Sequence, residues 1–273
     1  MQGLHDFIPT KAKTNYINQL LKVGFDTIDF GSFVSPKAIP QMRDTADVLQ
    51  GLNLTDSSSK LLAIIANKRG AEDALAFDEI DYLGFPLSIS EEFQKRNTNK
   101  SIDDALRVVE EIQGLIFAKG KKQVVYISMG FGNPYGEEFN GKIVAGFVEK
   151  LHQLGVEIIS LSDTIGVSEP QVIKDIFESS IIAYPTIEFG AHFHSTPQKT
   201  IEKLQAAYDA GCRRFDAAIK GFGGCPMAKD DLTGNIATET LLAFLDTTDE
   251  QLLIKKPEFD KAMLSSLEVF PAH

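Results

Sequence analysis

Two histidines two residues apart, His192 and His194 in "GAHFHST", close an apolar run that reads as a β-strand. Side chains alternate faces along a strand, so both imidazoles point one way and Phe193 the other. Two imidazoles side by side can share a metal ion, and the remaining ligands have to come from other segments. Suitable residue types recur at the ends of other apolar runs. Asp163 and Thr164 follow "SLS", and Asp29, Ser32 and Ser35 stand in "DFGSFVSPKAIPQM". The segment "KGFGGCPMAKDDLTGNIATE" carries Cys225, Asn235 and Glu239, with Gly221, Gly223 and Gly224 ahead of them. Histidine nitrogens, an amide oxygen and carboxylates form a hard, oxygen-rich set that suits Mg²⁺ or Mn²⁺ better than a structural zinc. Each residue also has a structural explanation. The histidines can simply be hydrogen-bonded, Asp163 can cap a following helix, Cys225 can be an inert thiol, and Asn235 can be an N-cap with Glu239 in the first turn behind it.

The elements that would position these residues are short runs rich in β-branched and aromatic side chains, at 26–33, 61–67, 80–86, 123–129, 156–162, 186–194 and 213–219. Amphipathic stretches lie between them. Ile17, Leu20 and Leu21 share one helical face, and "SIDDALRVVEEIQGLIFA" opens on a Ser101 cap with Asp104 three residues on. Alternation of strand and helix throughout predicts parallel βα units. Gly24, Gly155 and Gly211 each follow a helical stretch and precede a strand, where glycine permits a left-handed helix stop. No Gly-rich phosphate fingerprint follows the first strand, which disfavours a dinucleotide fold. The expected architecture is α/β, a TIM (β/α)8 barrel formed by one domain over 1–273. All the chemistry-bearing residues then fall at the C-terminal rim of its strands, where such barrels build their sites. The glycine-rich loop at 221–235 has the composition of a lid. Seven strands are found where a closed barrel has eight, and the chain opens on a loop and a helix. The missing first strand is therefore expected before Met1.

Composition narrows the function classes. The 273 residues are 43% hydrophobic and 24% charged, enough to bury a large core. The formal charge of −11, spread along the chain, opposes binding to nucleic acid or an anionic membrane. No apolar run is long enough to cross a bilayer, and two cysteines, Cys212 and Cys225, suit a reducing cytoplasm. Lys119, Lys121 and Lys122 could receive a polyanionic small ligand, or could form a solvated loop.

"SFVSPKAIPQM", "SLSDTIGV", "HFH" and "GGCPMAKDDLTGNIATE", in this order and at these separations, resemble hydroxymethylglutaryl-CoA lyase, a TIM-barrel metallolyase related to the homocitrate and isopropylmalate synthases. The likeness spans most of the chain, and its cysteine loop is the most specific part. The resemblance implies cleavage of 3-hydroxy-3-methylglutaryl-CoA to acetyl-CoA and acetoacetate, a reaction of leucine degradation and ketone-body metabolism, with a divalent metal, Mg²⁺ or Mn²⁺. It implies His192, His194 and Asn235 as metal ligands, Cys225 as the lid cysteine, and Asp163 and Glu239 as acidic site residues. Asp163 would take part in the first proton transfer and Cys225 in the last. Asp29 stands where the family usually has a glutamate, which keeps the charge and shortens the reach. The family's first strand ends in an Arg-Asp pair that supplies a further metal ligand and a catalytic arginine, and this pair is expected upstream of Met1. A homodimer is a family expectation. The alternatives are a related condensing synthase or aldolase and a truncated, inactive barrel.

Overall fold

The computed structural model describes residues 1–4, 6–223 and 233–270. Its elements alternate as the sequence pattern predicts. In chain order they are α1 (Thr10–Val23), β1 (Thr27–Ser32), α2 (Thr45–Gln50), β2 (Lys60–Ile64), α3 (Lys68–Ala74), β3 (Tyr82–Ser88), α4 (Glu91–Thr98), α5 (Ile102–Ala118), β4 (Lys122–Ser128), α6 (Gly141–Gln153), β5 (Ile158–Asp163), α7 (Pro170–Ala183), β6 (Glu188–Phe193), α8 (Thr200–Asp209), β7 (Arg214–Asp216), α9 (Thr238–Leu245) and α10 (Lys256–Val269). All seven expected strands are present, and they hydrogen-bond in chain order from β1 to β7. Consecutive βα units with neighbouring strands adjacent in the sheet are the wiring of the TIM (β/α)8 class. Among the described residues no helix is long and apolar enough to cross a membrane.

Local chemistry sets the element boundaries. Ser101 accepts the Asp104 N–H at 3.1 Å and donates to the Asp104 carboxylate at 2.7 Å, a reciprocal cap that starts α5. Gly24, Gly155 and Gly211 adopt φ of 91°, 79° and 96°, the left-handed stop expected before each following strand. The seventh strand is shorter than the apolar run 213–219 suggests. Ala218 donates its N–H to Ile236 O instead of extending the ladder, and Lys220 turns to φ 57°.

Two compact units can be distinguished. The first comprises Met1–Leu83 and Leu245–His273. Here α1 packs on α10, with Tyr16 edge-on to Phe270 at 5.9 Å and Phe25 edge-on to Phe259 at 6.3 Å. Lys13, buried in this unit, is neutralised by Asp44, whose other oxygen accepts from Thr10 at 2.7 Å. Strands β1 and β2 pair in parallel, with a bulge between Asp29 and Gly31.

The second unit, Gly84–Phe244, carries β4 to β7. Tyr126 aligns with Ser160, Ser160 with Gly190, Gly190 with Arg214, Ser162 with His192, and His192 with Asp216. These residues share one face of the sheet. Leu161, Asp163, Ala191 and Phe193 share the opposite face, against the helices. Phe193 is 1% exposed there, between Phe131 and Phe177 with ring centroids at 5.5 and 6.1 Å. Burying an aromatic side chain of this size contributes about 2–3 kcal/mol. That burial fixes the register of β6 and turns both histidines to the other face. Lys122, one of the lysines considered as an anion receiver, pairs with Glu157 at 2.8 Å.

Candidate metal and substrate site

The ends of β5, β6 and β7 assemble a site within the second unit. His192 Nδ1 lies 3.1 Å from Asp216 Oδ2, and Ser160 Oγ donates to the same oxygen at 3.4 Å. A carboxylate can only accept, so Nδ1 carries a proton, and in the neutral ring Nε2 holds the lone pair. Tyr126 packs edge-on against this ring at 5.4 Å. His194 has the same arrangement by other means. Its Nδ1 lies 2.8 Å from Thr233 O, a carbonyl that also only accepts, so its Nε2 is again the bare nitrogen. The two rings are neighbours, with centroids 5.6 Å apart. His194 is 4% exposed, and burial, reinforced by neighbouring His192, lowers its pKa from 6.5 to about 4. It is therefore neutral at neutral pH, the form in which imidazole binds a metal.

Asn235 reaches the pair through main-chain pairing. It forms an antiparallel bridge with His194, supported by Ser195 N–H to Gly234 O at 3.1 Å and Ile236 N–H to Phe193 O at 3.3 Å. Its Nδ2 donates to Phe222 O at 2.9 Å, which leaves Oδ1 as the electron-pair donor of the amide. A Cβ at Gly223 would stand 2.9 Å from that Nδ2, and one at Gly221 would stand 2.8 Å from Asn235 O, so the chain passes here only as glycine. Two bare imidazole nitrogens and an amide oxygen fit a divalent cation as a partial set of ligands. Among the described residues no group of three or more His, Cys, Asp or Glu converges in a metal-binding cluster. The antiparallel bridge pairs Asn235 with His194, and His192 lies two residues before His194 on the same strand run.

The acidic residues are placed differently from the sequence expectation. Asp163, expected at the reacting groups, turns to the helix-packed face with Leu161 and is 1% exposed. Its carboxylate accepts from Val167 N–H at 2.9 Å, Ser168 N–H at 3.0 Å, Ser168 Oγ at 2.5 Å and Lys203 Nζ at 2.7 Å. Three of these donors converge on Oδ2 and one reaches Oδ1, so Asp163 anchors the turn after β5. Strand alternation is the reason, because Ser162 takes the site face and the next residue cannot. Glu239 Oε2 accepts the Lys220 N–H at 3.0 Å, so this acid braces the turn after β7. Asp29 is exposed on β1 in the first unit, beside the bulge. Cys225 lies outside the described residues. Cys212 is 1% exposed, and burial pushes its thiol up to about 12, which leaves it protonated and unreactive.

Three participants were not singled out from the sequence. Asp216 ends an apolar strand in register with His192, and an acid at that position is a visible signal. Lys203 stands on the buried stripe Thr200, Lys203, Leu204 and Ala207 of α8, where a charge interrupting a 3.6-residue apolar pattern asks for a buried partner. Thr233 contributes only its main-chain carbonyl, for which side-chain type gives no signal.

Comparison with known proteins identifies the family. The family model described as HMGL-like matches residues 1–267. Hydroxymethylglutaryl-CoA lyase YngG of Bacillus subtilis is 31% identical over 249 residues, covering 91% of this chain and 82% of that one. A 3-hydroxy-3-isohexenylglutaryl-CoA/hydroxy-methylglutaryl-CoA lyase of Pseudomonas aeruginosa is 34% identical over 242 residues, covering 88% and 79%. Among solved structures, an HMG-CoA lyase from Acinetobacter baumannii in complex with coenzyme A and 3-methylmalate superposes with a TM-score of 0.90 at 30% identity, covering 98% of this chain and 87% of that one. The carboxyl transferase domain of Rhizobium etli pyruvate carboxylase, at 14% identity and a TM-score of 0.69, shares the fold alone.

Proposed function

The chain belongs to the HMGL-like family, and from that membership together with the site geometry we infer that it is a hydroxymethylglutaryl-CoA lyase, a carbon–carbon lyase that cleaves 3-hydroxy-3-methylglutaryl-CoA to acetyl-CoA and acetoacetate. The observation that carries this reading is the pair of imidazoles on one strand, each with Nδ1 tied to an acceptor, with Asn235 paired to His194 across an antiparallel bridge.

His192, His194 and Asn235 would hold the divalent ion on which the family depends, and Mg²⁺ or Mn²⁺ is the choice that suits these donors. Held there, a divalent ion would supply Lewis acidity toward the oxygens of the substrate. The cleavage needs a general base to take the proton from the tertiary hydroxyl of the substrate. The bond between C2 and C3 then breaks, its electron pair becomes the thioester enolate, and C3 becomes the ketone carbon of acetoacetate. The enolate carbon finally takes a proton to give acetyl-CoA, and Cys225, delivered by the loop at 221–235, is the donor in our reading. Asp216 holds the His192 ring so that Nε2 stays bare, and Tyr126 restricts its tilt. The substrate is an acyl-CoA. The cytoplasm is our reading of location, and a homodimer our reading of assembly.

The test is direct. Purified protein freed of metal and then given Mg²⁺ or Mn²⁺ should release acetoacetate and acetyl-CoA in equal amounts, lose this with a chelator, and recover it on adding metal. Consumption of acetyl-CoA with a 2-oxo acid, and no cleavage, would instead identify a condensing synthase.

A further inference from the structure

Among the described residues of the second unit, the ammonium of Lys203 is the most buried charge, at 0% exposure, on a helix that also buries Leu204, Ala206 and Ala207. Its three N–H groups have three acceptors: Asp163 Oδ2 at 2.7 Å, Gly166 O at 3.0 Å and His194 O at 3.2 Å. Burying an ammonium and a carboxylate together is costly even when they pair, and apolar residues of similar size often replace such pairs without loss of stability. A methionine would fill this space. A pair retained at such a cost invites a role beyond packing.

The three acceptors together define the setting of one metal ligand. The main chain of His194 is gripped on both sides, its carbonyl by Lys203 and its N–H by Asp163 O at 3.1 Å. The His194 ring takes its orientation from Thr233 O. Thr233 is itself seated on the turn that Lys203 holds: a Cβ at Gly166 would stand 2.8 Å from Thr233 Cγ2, and Thr233 Oγ1 donates to Ile165 O at 3.4 Å. Asn235, two residues on, pairs with His194 through the same bridge. We propose that Lys203, buried behind the strand that carries the histidines and paired with Asp163, is a positioning residue of the metal site: it locks the His194 main chain and the Gly166 turn together so that His194 presents a bare Nε2. This rests on the lyase reading, and it reassigns Asp163 from proton transfer to the same positioning unit.

The test uses the full chain. Lys203→Met alone leaves the Asp163 charge buried and unpaired, so the decisive variant is Lys203→Met/Asp163→Asn, which removes both charges, with Lys199→Met on the exposed side as control. Mn²⁺ binding is measured by calorimetry, and the histidine tautomers of the metal-free protein by ¹⁵N NMR. The expected result is a double variant that melts cooperatively, binds Mn²⁺ at least tenfold more weakly than the unaltered protein, and shows His194 as a mixture of tautomers, while Lys199→Met binds as before. A folded double variant with Mn²⁺ affinity within twofold of the unaltered protein overturns the proposal and leaves the lyase reading standing. The unaltered protein gives an independent check that needs no variant: His194 protonated on Nε2 in the absence of metal also overturns it. Failure of the unaltered protein to bind Mn²⁺ removes the metal site and this proposal with it.

Discussion

Acidification of the metal-free protein should cost stability through His194 in particular. Its imidazole titrates at about 4 in the folded chain against 6.5 when exposed, with burial as the main cause. Between those values the unfolded chain binds a proton that the folded chain refuses. The stabilising effect of neutral His194 is therefore complete above pH 6.5, shrinks as the pH falls toward 4, and levels off below that. At about 1.4 kcal/mol per pH unit, the loss between pH 7.5 and pH 4.5 comes to about 2–3 kcal/mol. Other carboxylates and histidines titrate over the same interval, so the quantity to measure is a difference between two proteins. Urea unfolding of the unaltered chain and of His194→Gln, each with a chelator at both pH values, isolates the term. The unaltered chain should lose about 2–3 kcal/mol more than the variant does. A difference below about 1 kcal/mol would mean that the ring is more hydrated or better paired than its 4% exposure implies, and the argument for a neutral, metal-ready imidazole would fall.

Replacing Asp216 by Ala frees the His192 ring from its acceptor, and Mn²⁺ affinity measured by calorimetry should fall roughly 10- to 100-fold; unchanged affinity would show that the ring needs no help to present Nε2. Gly166→Ala puts a Cβ 2.8 Å from Thr233 Cγ2 and 3.2 Å from His194 O at a φ of 73°. It should cost about 2 kcal/mol or more in thermal or urea unfolding, and a neutral result would contradict the close approach described here. Cys225→Ser should lower kcat far more than it raises KM in the cleavage assay, and a turnover equal to that of the unaltered protein would remove this thiol from the mechanism.

The alternation of elements was legible in the sequence because each strand carries its own run of β-branched residues and three helices end at a glycine that the local turn requires. The opposite facing of Phe193 and the histidines was legible for the same reason: a period of two is a property of the strand itself. The facing of Asp163 was readable in principle by that rule, since Ser162 and Asp163 are adjacent and only one can look toward His192. The local donors, Val167 and Ser168, fit the helix-cap role that the sequence allows; what was hidden was the compensating lysine, which lies forty residues on in α8. Asp216 and Thr233 were missed for a similar reason. Their importance comes from pairing across the sheet and across a bridge, and long-range pairing leaves no pattern within a short window of sequence.

Burial of Cys212 also determines how this protein meets oxidants and alkylating reagents. With its thiol pushed up to about 12, only about one molecule in ten thousand carries that thiolate at pH 8. Of the two sulfhydryls in the chain, one is chemically silent while the fold is intact. Covalent labelling of Cys212 would therefore report on loss of the fold. Label appearing on Cys212 on heating or in urea would count the unfolded fraction directly.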